Sequence, residues 1–380
     1  MIVVAGHVCL DLTPRLEHAI DWRPGSLYEV GPLTLSVGGA VGNVGSVLSA
    51  LGVPVRRVGA IGDDPFGAVV RELLGEGPND DPQRPQRTVL TRLPDRATSY
   101  TLVVSDPVND RIFLHHPGVN DAFGGDDLRA GLAELEQREP GLLGSAFLHV
   151  GYPPVMAATY CDGGRTFAAA LGWAREQGAT ISLDMAMPDP AGPAAGVDWN
   201  VFLQRVLPTV HLFAPSWTDL TALVPGLPDA ADRDALAHTT ASFLAMGSTA
   251  VLLKLGRRGA YLRTSPDHPN GRAWRGRELL SPNLIVDAIN ATGAGDATIA
   301  GFLAALRAGA TPEHALSVAS ATGAASVTGL DAASGVPTLA SLEARLARGW
   351  QRTPATWFGA DDVDASGIVH GPADTRREGP

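Results

Sequence analysis

The residues with the clearest chemical potential are Gly293, Ala294, Gly295 and Asp296, which close the segment Asn290-Ala-Thr-Gly-Ala-Gly-Asp296. Downstream, Ile299, Phe302, Leu303 and Leu306 recur at the i, i+3, i+4, i+7 spacing of one helix face, so the segment is expected to open a helix. Upstream, Leu284-Ile-Val286 and Ile289 read as a buried extended run. Apolar strand, glycine-rich turn and helix in that order leave first-turn amides without internal partners, at the positive end of the helix dipole. Such a terminus binds anions, and glycines let the backbone approach them closely. A carboxylate beside it has a further use. Asp296 can take a proton from a hydroxyl that attacks the terminal phosphoryl group of a nucleotide. The other reading is structural, a capped helix after a tight turn, because short glycine motifs are weak signals.

A second glycine-rich turn stands near the other end of the chain. Gly38-Gly-Ala-Val-Gly-Asn43 precedes Val44, Val47, Leu48 and Leu51 on one helical face, closed by Gly52. Before it, Ile2 to Ala5 forms a short apolar strand ending at Gly6, and Gly6-His-Val-Cys-Leu-Asp11 follows. From composition alone, Asp11 is a strand-end carboxylate, Asn43 a helix cap and the Gly pair a device for tight helix–sheet packing.

Together the two segments resemble the two signatures of the ribokinase-like (PfkB) carbohydrate kinases. One is Asp-Thr-x-Gly-Ala-Gly-Asp leading into a helix, with Asn290 and Ala291 standing here for its first Asp and Thr. The other is Gly-Gly, a spacer, Asn, a small-residue helix and Leu-Gly. By that resemblance Asp296 is the catalytic base, and the Gly293, Ala294 and Gly295 amides form the anion hole. Asp11, Gly39 and Asn43 bind sugar hydroxyls, a task that suits a carboxylate able to accept from two neighbouring hydroxyls. The resemblance also implies a monovalent cation, K+, held through the backbone of Asn290 and Thr292.

Other segments extend the resemblance over most of residues 1–349. Gly62-Asp-Asp-Pro-Phe-Gly67 matches a Gly-x-Asp-x-x-Gly turn. Ser99 to Val104 and Arg111 to His115 read as a β-hairpin about the turn Asp106-Pro-Val-Asn-Asp110. In the family such a hairpin joins the early strands as a lid over the sugar and makes the dimer contact, here from about 12–36 and 95–117. His115 and His116 either face the sugar or sit on a strand edge. Asn120, in Pro117-Gly-Val-Asn120, belongs to the segment that re-enters the main domain and is expected beside the substrate. Ser216 and Asp219 take the places of an Asn-x-x-Glu motif that organises Mg2+ and nucleotide phosphates, Asp219 acting through water. They also read as a helix cap with its N3 acid, and both can hold. Lys254, Gly256 and Gly259 form the strand-end turn that borders the nucleotide, with a surface role as the rival reading for Lys254.

Beyond the motifs, strand candidates at Val55–Ile61, Ala146–Val150, Thr180–Leu183, Leu212–Ala214, Ala250–Leu253 and Ala260–Arg263 alternate with helical stretches near 164–177, 197–206 and 230–246. Continuous apolar strands alternating with helices predict a mostly parallel sheet covered on both faces. The fold class is thus α/β, and the resemblance implies a three-layer Rossmann-like ribokinase fold with a small projecting β-sheet lid. Ligands in such folds bind beyond the carboxyl ends of the strands, where Gly6–Asp11, Asp184, Ser216 and Lys254 all fall. Thr311-Pro-Glu313 caps a helix to about Val327. Residues 75–87 read as a surface loop, and after about Trp350 the chain is expected to be an irregular extension, 350–380.

Composition narrows the function classes. Hydrophobic content of 45% and a charged fraction of 18% suit a globular protein with a sizeable core. A net charge of -11 argues against a nucleic-acid partner. Cys9 and Cys161, both expected as buried thiols, are too few for a disulfide framework. The chain has no apolar run long enough for a membrane span and enters its first strand without a basic leader, so a cytoplasmic protein is expected. Lys254 is the single lysine, which rules out a P-loop. No Gly-x-Gly-x-x-Gly follows the first strand, against a dinucleotide oxidoreductase. The reading carried forward is an ATP-dependent sugar kinase using ATP, Mg2+ and K+ and forming a homodimer. A nucleoside kinase, with Tyr152 available to stack a base, and a non-catalytic sugar-binding homologue are the alternatives.

Overall fold

Alternation of side chains in the first strand sets the layering. In β1 (Ile2–Gly6), Ile2 and Val4 face one apolar cluster while Val3 and Ala5 face the other, and all four are fully buried. A strand buried on both faces needs a helical layer on each. The computed structural model describes residues 1–75, 87–105, 111–228, 232–355 and 362–377. Within them the parallel part of the main sheet runs β5 (Thr88–Leu93), β4 (Val55–Gly62), β1, β8 (Phe147–Gly151), β9 (Thr180–Leu183), β10 (Leu212–Phe213) and β11 (Ala250–Lys254). Three antiparallel strands continue it, β12 (Ala260–Thr264), β13 (Glu278–Ser281) and β14 (Val369–His370).

One face carries α3 (Gly125–Arg138), α5 (Arg165–Glu176), α6 (Trp199–Val206), α7 (Trp217–Leu223) and α8 (Arg233–Ala245). The other carries α1 (Gly39–Ala50), α9 (Ala294–Arg307), α10 (Pro312–Ser326) and α11 (Leu339–Ala347). Ile299, Phe302 and Leu303 of α9 are buried as the spacing predicts, and Thr311 caps α10 by accepting from the His314 amide. A second sheet, in the order β3 (Leu33–Gly38), β2 (Cys9–Pro14), β6 (Tyr100–Val104) and β7 (Ile112–His116), forms the expected lid. Its root packs on α2 (Pro65–Leu73) through Leu10, Val37 and Val70. The short helix α4 (Ala157–Tyr160) follows β8. The hairpin turn at 106–110 and nearly all of the 75–87 loop lie outside the described residues.

Several expectations are corrected. The strand before the Asn290 segment is Glu278–Ser281, not Leu284–Val286 with Ile289. Pro282 cannot donate to a ladder, and although Leu284 is buried, Ile285 and Ile289 are exposed. Cys9 is buried but Cys161 is exposed. The described parts of the extension, 350–355 and 362–377, are more regular than their composition suggests. Its β14 pairs with β13, and Asp374 receives Arg277 Nε at 2.7 Å and Nη2 at 3.0 Å. Arg277 is fully buried, and its Nη2 also donates to Glu313 Oε1 at 2.6 Å. Long-range ion pairing of this kind carries no local periodicity.

Burial, the largest single influence, pushes Asp374 and Glu313 upward, but the Arg277 hydrogen bonds and charge together with backbone amides outweigh it and hold both carboxyls below their ordinary values. Depressed carboxylates contribute stability that is complete above their unfolded value near pH 4 and drains as pH falls below it. Arg277→Met is expected to cost about 3–5 kcal/mol at neutral pH, since it strands buried charge. Denaturant unfolding across a pH series checks this. The gap between variant and parent narrows on acidification, and an unchanged midpoint at pH 7 contradicts the anchoring role.

Candidate active site

Five adjacent parallel strands end along one rim, and each delivers a polar residue at or shortly after its last residue. In sheet order these are Lys254 at the end of β11, Ser216 after β10, Asp184 after β9, Tyr152 after β8 and His7 after β1. Over the same rim stand the first turns of α1 and α9, which pack on the same face of the sheet. Two helix N-termini and a row of strand ends therefore share one chamber.

Gly293 caps α9 with φ 75°, a left-handed conformation open to glycine, and a Cβ there would collide with Ala332. Asp296 falls in the first turn and is 3% exposed. Its carboxylate accepts from Asn43 Nδ2 at 2.9 Å, across 253 residues of chain, which brings the two glycine-rich segments into contact. Tyr152 donates its hydroxyl at 2.7 Å to both carboxylate oxygens. Burial raises the Asp296 carboxyl, while Lys254 and the Tyr152 and Asn43 donors pull it back toward the charged form. Each donor to a charged group is worth roughly 1.5–3 kcal/mol, enough together to offset much of a desolvation cost of several kcal/mol.

Lys254 is buried rather than on the surface. Its Nζ lies 2.8 and 2.7 Å from the two oxygens of Asp184, which is 1% exposed, and its chain end faces the Gly295 backbone. Burial opposes the ammonium, but Asp184, Asp219 and Asp296 together hold it charged. Burial pushes Asp184 upward and Lys254 pulls it down. Ser216 and Asp219 form a reciprocal capping box on α7, Ser216 N donating to Asp219 Oδ2 and Asp219 N to Ser216 Oγ, both at 3.0 Å. The capping reading thus holds, and Asp219 still faces the charged cluster electrostatically. Gly256 and Gly259 bracket the turn between β11 and β12, next to Lys254. Asn290 Oδ1 accepts from the Thr292 amide at 2.9 Å and hydroxyl at 2.8 Å, closing the loop before the amide nest. Among the described residues no group of three or more His, Cys, Asp or Glu side chains is gathered as metal ligands.

On the lid side, the Asp11 carboxylate lies against Gly38 and accepts from Cys9 Sγ at 3.3 Å. Burial pushes the Asp11 carboxyl up to about 6. Gly39 has φ 74°, and a Cβ there would strike His7. His115 turns inward, its Nε2 3.4 Å from His7 Nε2 and its Nδ1 3.0 Å from Thr101 Oγ1. Strand alternation sends His116 the other way, onto Tyr100. Arg111 of the lid donates to Thr292 Oγ1 at 2.9 Å, linking lid and loop.

One sequence expectation changes. Asn120 does not face the chamber, because it is fully buried and both ends of its amide bind the Val8 backbone, Nδ2 to O at 2.8 Å and Oδ1 from N at 3.4 Å. It positions the strand-to-lid crossing instead. The Tyr152 hydroxyl is engaged by Asp296, a contact that the sequence reading of Tyr152 as an aromatic available for stacking did not include. The sequence had placed Asp184 at a strand end without a partner; the signal was the single lysine, which needed a carboxylate once buried.

Lys254→Met leaves Asp184 buried without its cation and is expected to cost about 3–5 kcal/mol in denaturant unfolding. Adding Asp184→Asn recovers much of that loss. A coupling energy below about 0.5 kcal/mol in the double-mutant cycle contradicts the pairing.

Comparison with known proteins places this geometry. The model of the pfkB family of carbohydrate kinases matches residues 1–339. The chain is 26% identical over 346 residues to an ATP-dependent ribose-1-phosphate kinase of Halopiger xanaduensis, covering 91% of this chain and 97% of that protein. Ribokinase of Arabidopsis thaliana, solved with ribose and ATP, superposes with a TM-score of 0.65 at 19% identity, over 90% of this chain and 97% of that one. Phosphofructokinase-2 of Escherichia coli, solved with potassium, gives a TM-score of 0.66 at 17% identity over 90% and 97%. With the family model matched over residues 1–339, the chain is a phosphotransferase acting on a sugar and belongs to the pfkB family of carbohydrate kinases.

Proposed function

We propose that the protein transfers the γ-phosphate of ATP to a primary hydroxyl of a carbohydrate, with Asp296 as general base. The observation that carries this reading is the placement of Asp296, buried in the first turn of α9 beside the Gly293–Gly295 amides and held by Asn43 and Tyr152. The acceptor hydroxyl gives its proton to Asp296 as its oxygen bonds the γ-phosphorus, and the β–γ bridging bond breaks to release ADP. Gly293, Ala294 and Gly295 amides meet the charge that develops on the transferring group, and Lys254 sits close enough to add to them. The sugar lies between Asp11, Gly39 and Asn43 under the lid, and the nucleotide runs from the anion hole toward Ser216, Asp219 and the Gly256–Gly259 turn.

The chamber faces ATP with four carboxylates, Asp11, Asp184, Asp219 and Asp296, against one ammonium, so a polyphosphate needs accompanying cations. Mg2+ would come with ATP, with Asp219 acting through water, and it would neutralise phosphate charge. K+ would lie against the backbone carbonyls of Asn290 and Thr292. Residues 1–349 act as the kinase domain, the lid drawn from about 12–36 and 95–117, with 350–380 as an extension bracing the sheet edge. The apolar side chains Ile112 and Leu114, on the lid face opposite His115 and roughly half exposed at 45% and 48%, support a lid-to-lid homodimer. No helix among the described residues is long and apolar enough to cross a membrane, and an ATP-consuming reaction fits the cytoplasm. The ribose-1-phosphate kinase relative makes a sugar phosphate a candidate acceptor beside free sugars.

Replacing Asp296 with Asn is expected to lower kcat by at least about a thousandfold while calorimetric ATP affinity stays within about twofold. Retained turnover removes Asp296 from the base role. Asp11→Ala is expected to raise the sugar KM at least about tenfold and leave that of ATP unchanged; a selective loss of ATP affinity overturns the pocket assignment. Because burial pushes the Asp11 carboxyl up to about 6 and its ionised form can accept from two hydroxyls where the protonated form keeps less acceptor capacity, sugar KM in the parent is expected to rise as pH falls below that value.

A further inference from the structure

Two independent observations single out Tyr152. Among the described residues it is the one non-glycine residue with positive φ, at φ 72° and ψ 41°. Bulky side chains avoid that region, and a residue before proline is ordinarily driven to extended backbone, yet Tyr152 precedes Pro153. The turn is fixed by Val155 N donating to Tyr152 O at 3.1 Å and Met156 N to Pro153 O at 2.9 Å. Strained backbone of this kind concentrates where a side chain must be aimed. The second observation is the target. The Tyr152 hydroxyl is equidistant, 2.7 Å, from Asp296 Oδ1 and Oδ2, and so lies on the bisector of the carboxylate. Asn43 Nδ2 adds a second contact to Oδ2 at 2.9 Å, leaving Oδ1 with the Tyr152 contact alone among the described residues.

We propose that Tyr152 is a positioning residue for phosphoryl transfer: its left-handed turn aims the hydroxyl at Asp296, fixes the carboxylate's rotation and leaves Oδ1 to the acceptor hydroxyl. The inference rests on Asp296 being the base. In the reaction the acceptor proton passes to Oδ1, the acceptor oxygen bonds the γ-phosphorus, and the bridging-bond electrons leave with ADP. Tyr152 keeps its own proton throughout, since burial and the Asp296 charge push its hydroxyl well above the usual tyrosine range. The other groups facing Asp296 are Lys254 on β11, Asp184 after β9, Asp219 on α7, Asn43 on α1, and Cys9 and Asp11 on β2. Among the described residues, Tyr152 and Asn43 are the hydrogen-bond donors to its carboxylate.

Tyr152→Phe keeps the ring and removes the donor. It is expected to lower kcat about ten- to a hundredfold with the ATP KM within about twofold. The acid limb of the kcat–pH profile should move up by about one pH unit, because the charged carboxylate loses a donor. A merely structural role would lower the unfolding temperature and leave the acid limb in place, which overturns the proposal. A second readout does not require turnover: titration of the Asp296 carboxyl by 13C NMR in unaltered protein and variant, with Asp296→Asn identifying the resonance. An upward shift of about one unit supports the assignment, and coincident titrations overturn it. Failure of the unaltered protein to phosphorylate any acceptor counts against the kinase reading, while the titration still decides the role of Tyr152. Should the Phe variant not fold, Tyr152→Asn, which tolerates left-handed backbone, carries both measurements with the same outcomes.

Discussion

Everything in the chamber answers to one constraint, the burial of a carboxylate that must remain able to accept a proton. Asp296 at 3% exposure has lost nearly all its water, and burial alone favours its neutral form. Tyr152, Asn43 and the field of Lys254 work in the opposite direction. The balance needs a donor from a strand end, a donor from another helix and a cation from a third element, all within a few ångströms. No short segment of chain can supply that set, so the fold must assemble it.

The sheet does so by register and the helices by their starts. Parallel strands end on one side, so Tyr152, Asp184 and Lys254 are delivered side by side without long loops. Packing of α1 on α9 brings Asn43 to Asp296, and the glycine caps allow both helices to begin against crowded backbone. Lys254 then serves two ends, pairing with Asp184 behind it and facing the Gly295 backbone ahead. The lid closes the remaining side through the Arg111–Thr292 and His7–His115 contacts.

Much of this was legible in the chain because it is encoded locally. The helix after Asp296, the capped α10 and the alternation of strands with helices follow from spacing, and the two glycine-rich turns mark the helix starts at the site. What the sequence concealed is long-range. Asp184 has no local feature that foretells its pairing with Lys254, and the hydroxyl of Tyr152 finds Asp296 across 144 residues. Asn120 looked like a ligand-facing amide because sequence does not reveal that the Val8 backbone would take both of its ends. The apolar Leu284–Val286 run misled for a different reason. Hydrophobic composition marks burial only when a neighbouring strand is there to cover it, and Pro282 had already ended the ladder. The C-terminal segment looked irregular because its order comes from buried pairing with Arg277 rather than from periodicity.

The central claim is that this buried carboxylate activates a sugar hydroxyl toward ATP. Its most direct test is ADP release from ATP and Mg2+ across free sugars, sugar phosphates, sugar acids and nucleosides, with and without K+, followed by location of the new phosphate on the product. The account predicts acceptor-dependent release with the phosphate on a primary hydroxyl of a sugar or sugar phosphate. A folded protein that binds ATP yet transfers phosphate to none of these acceptors would contradict it.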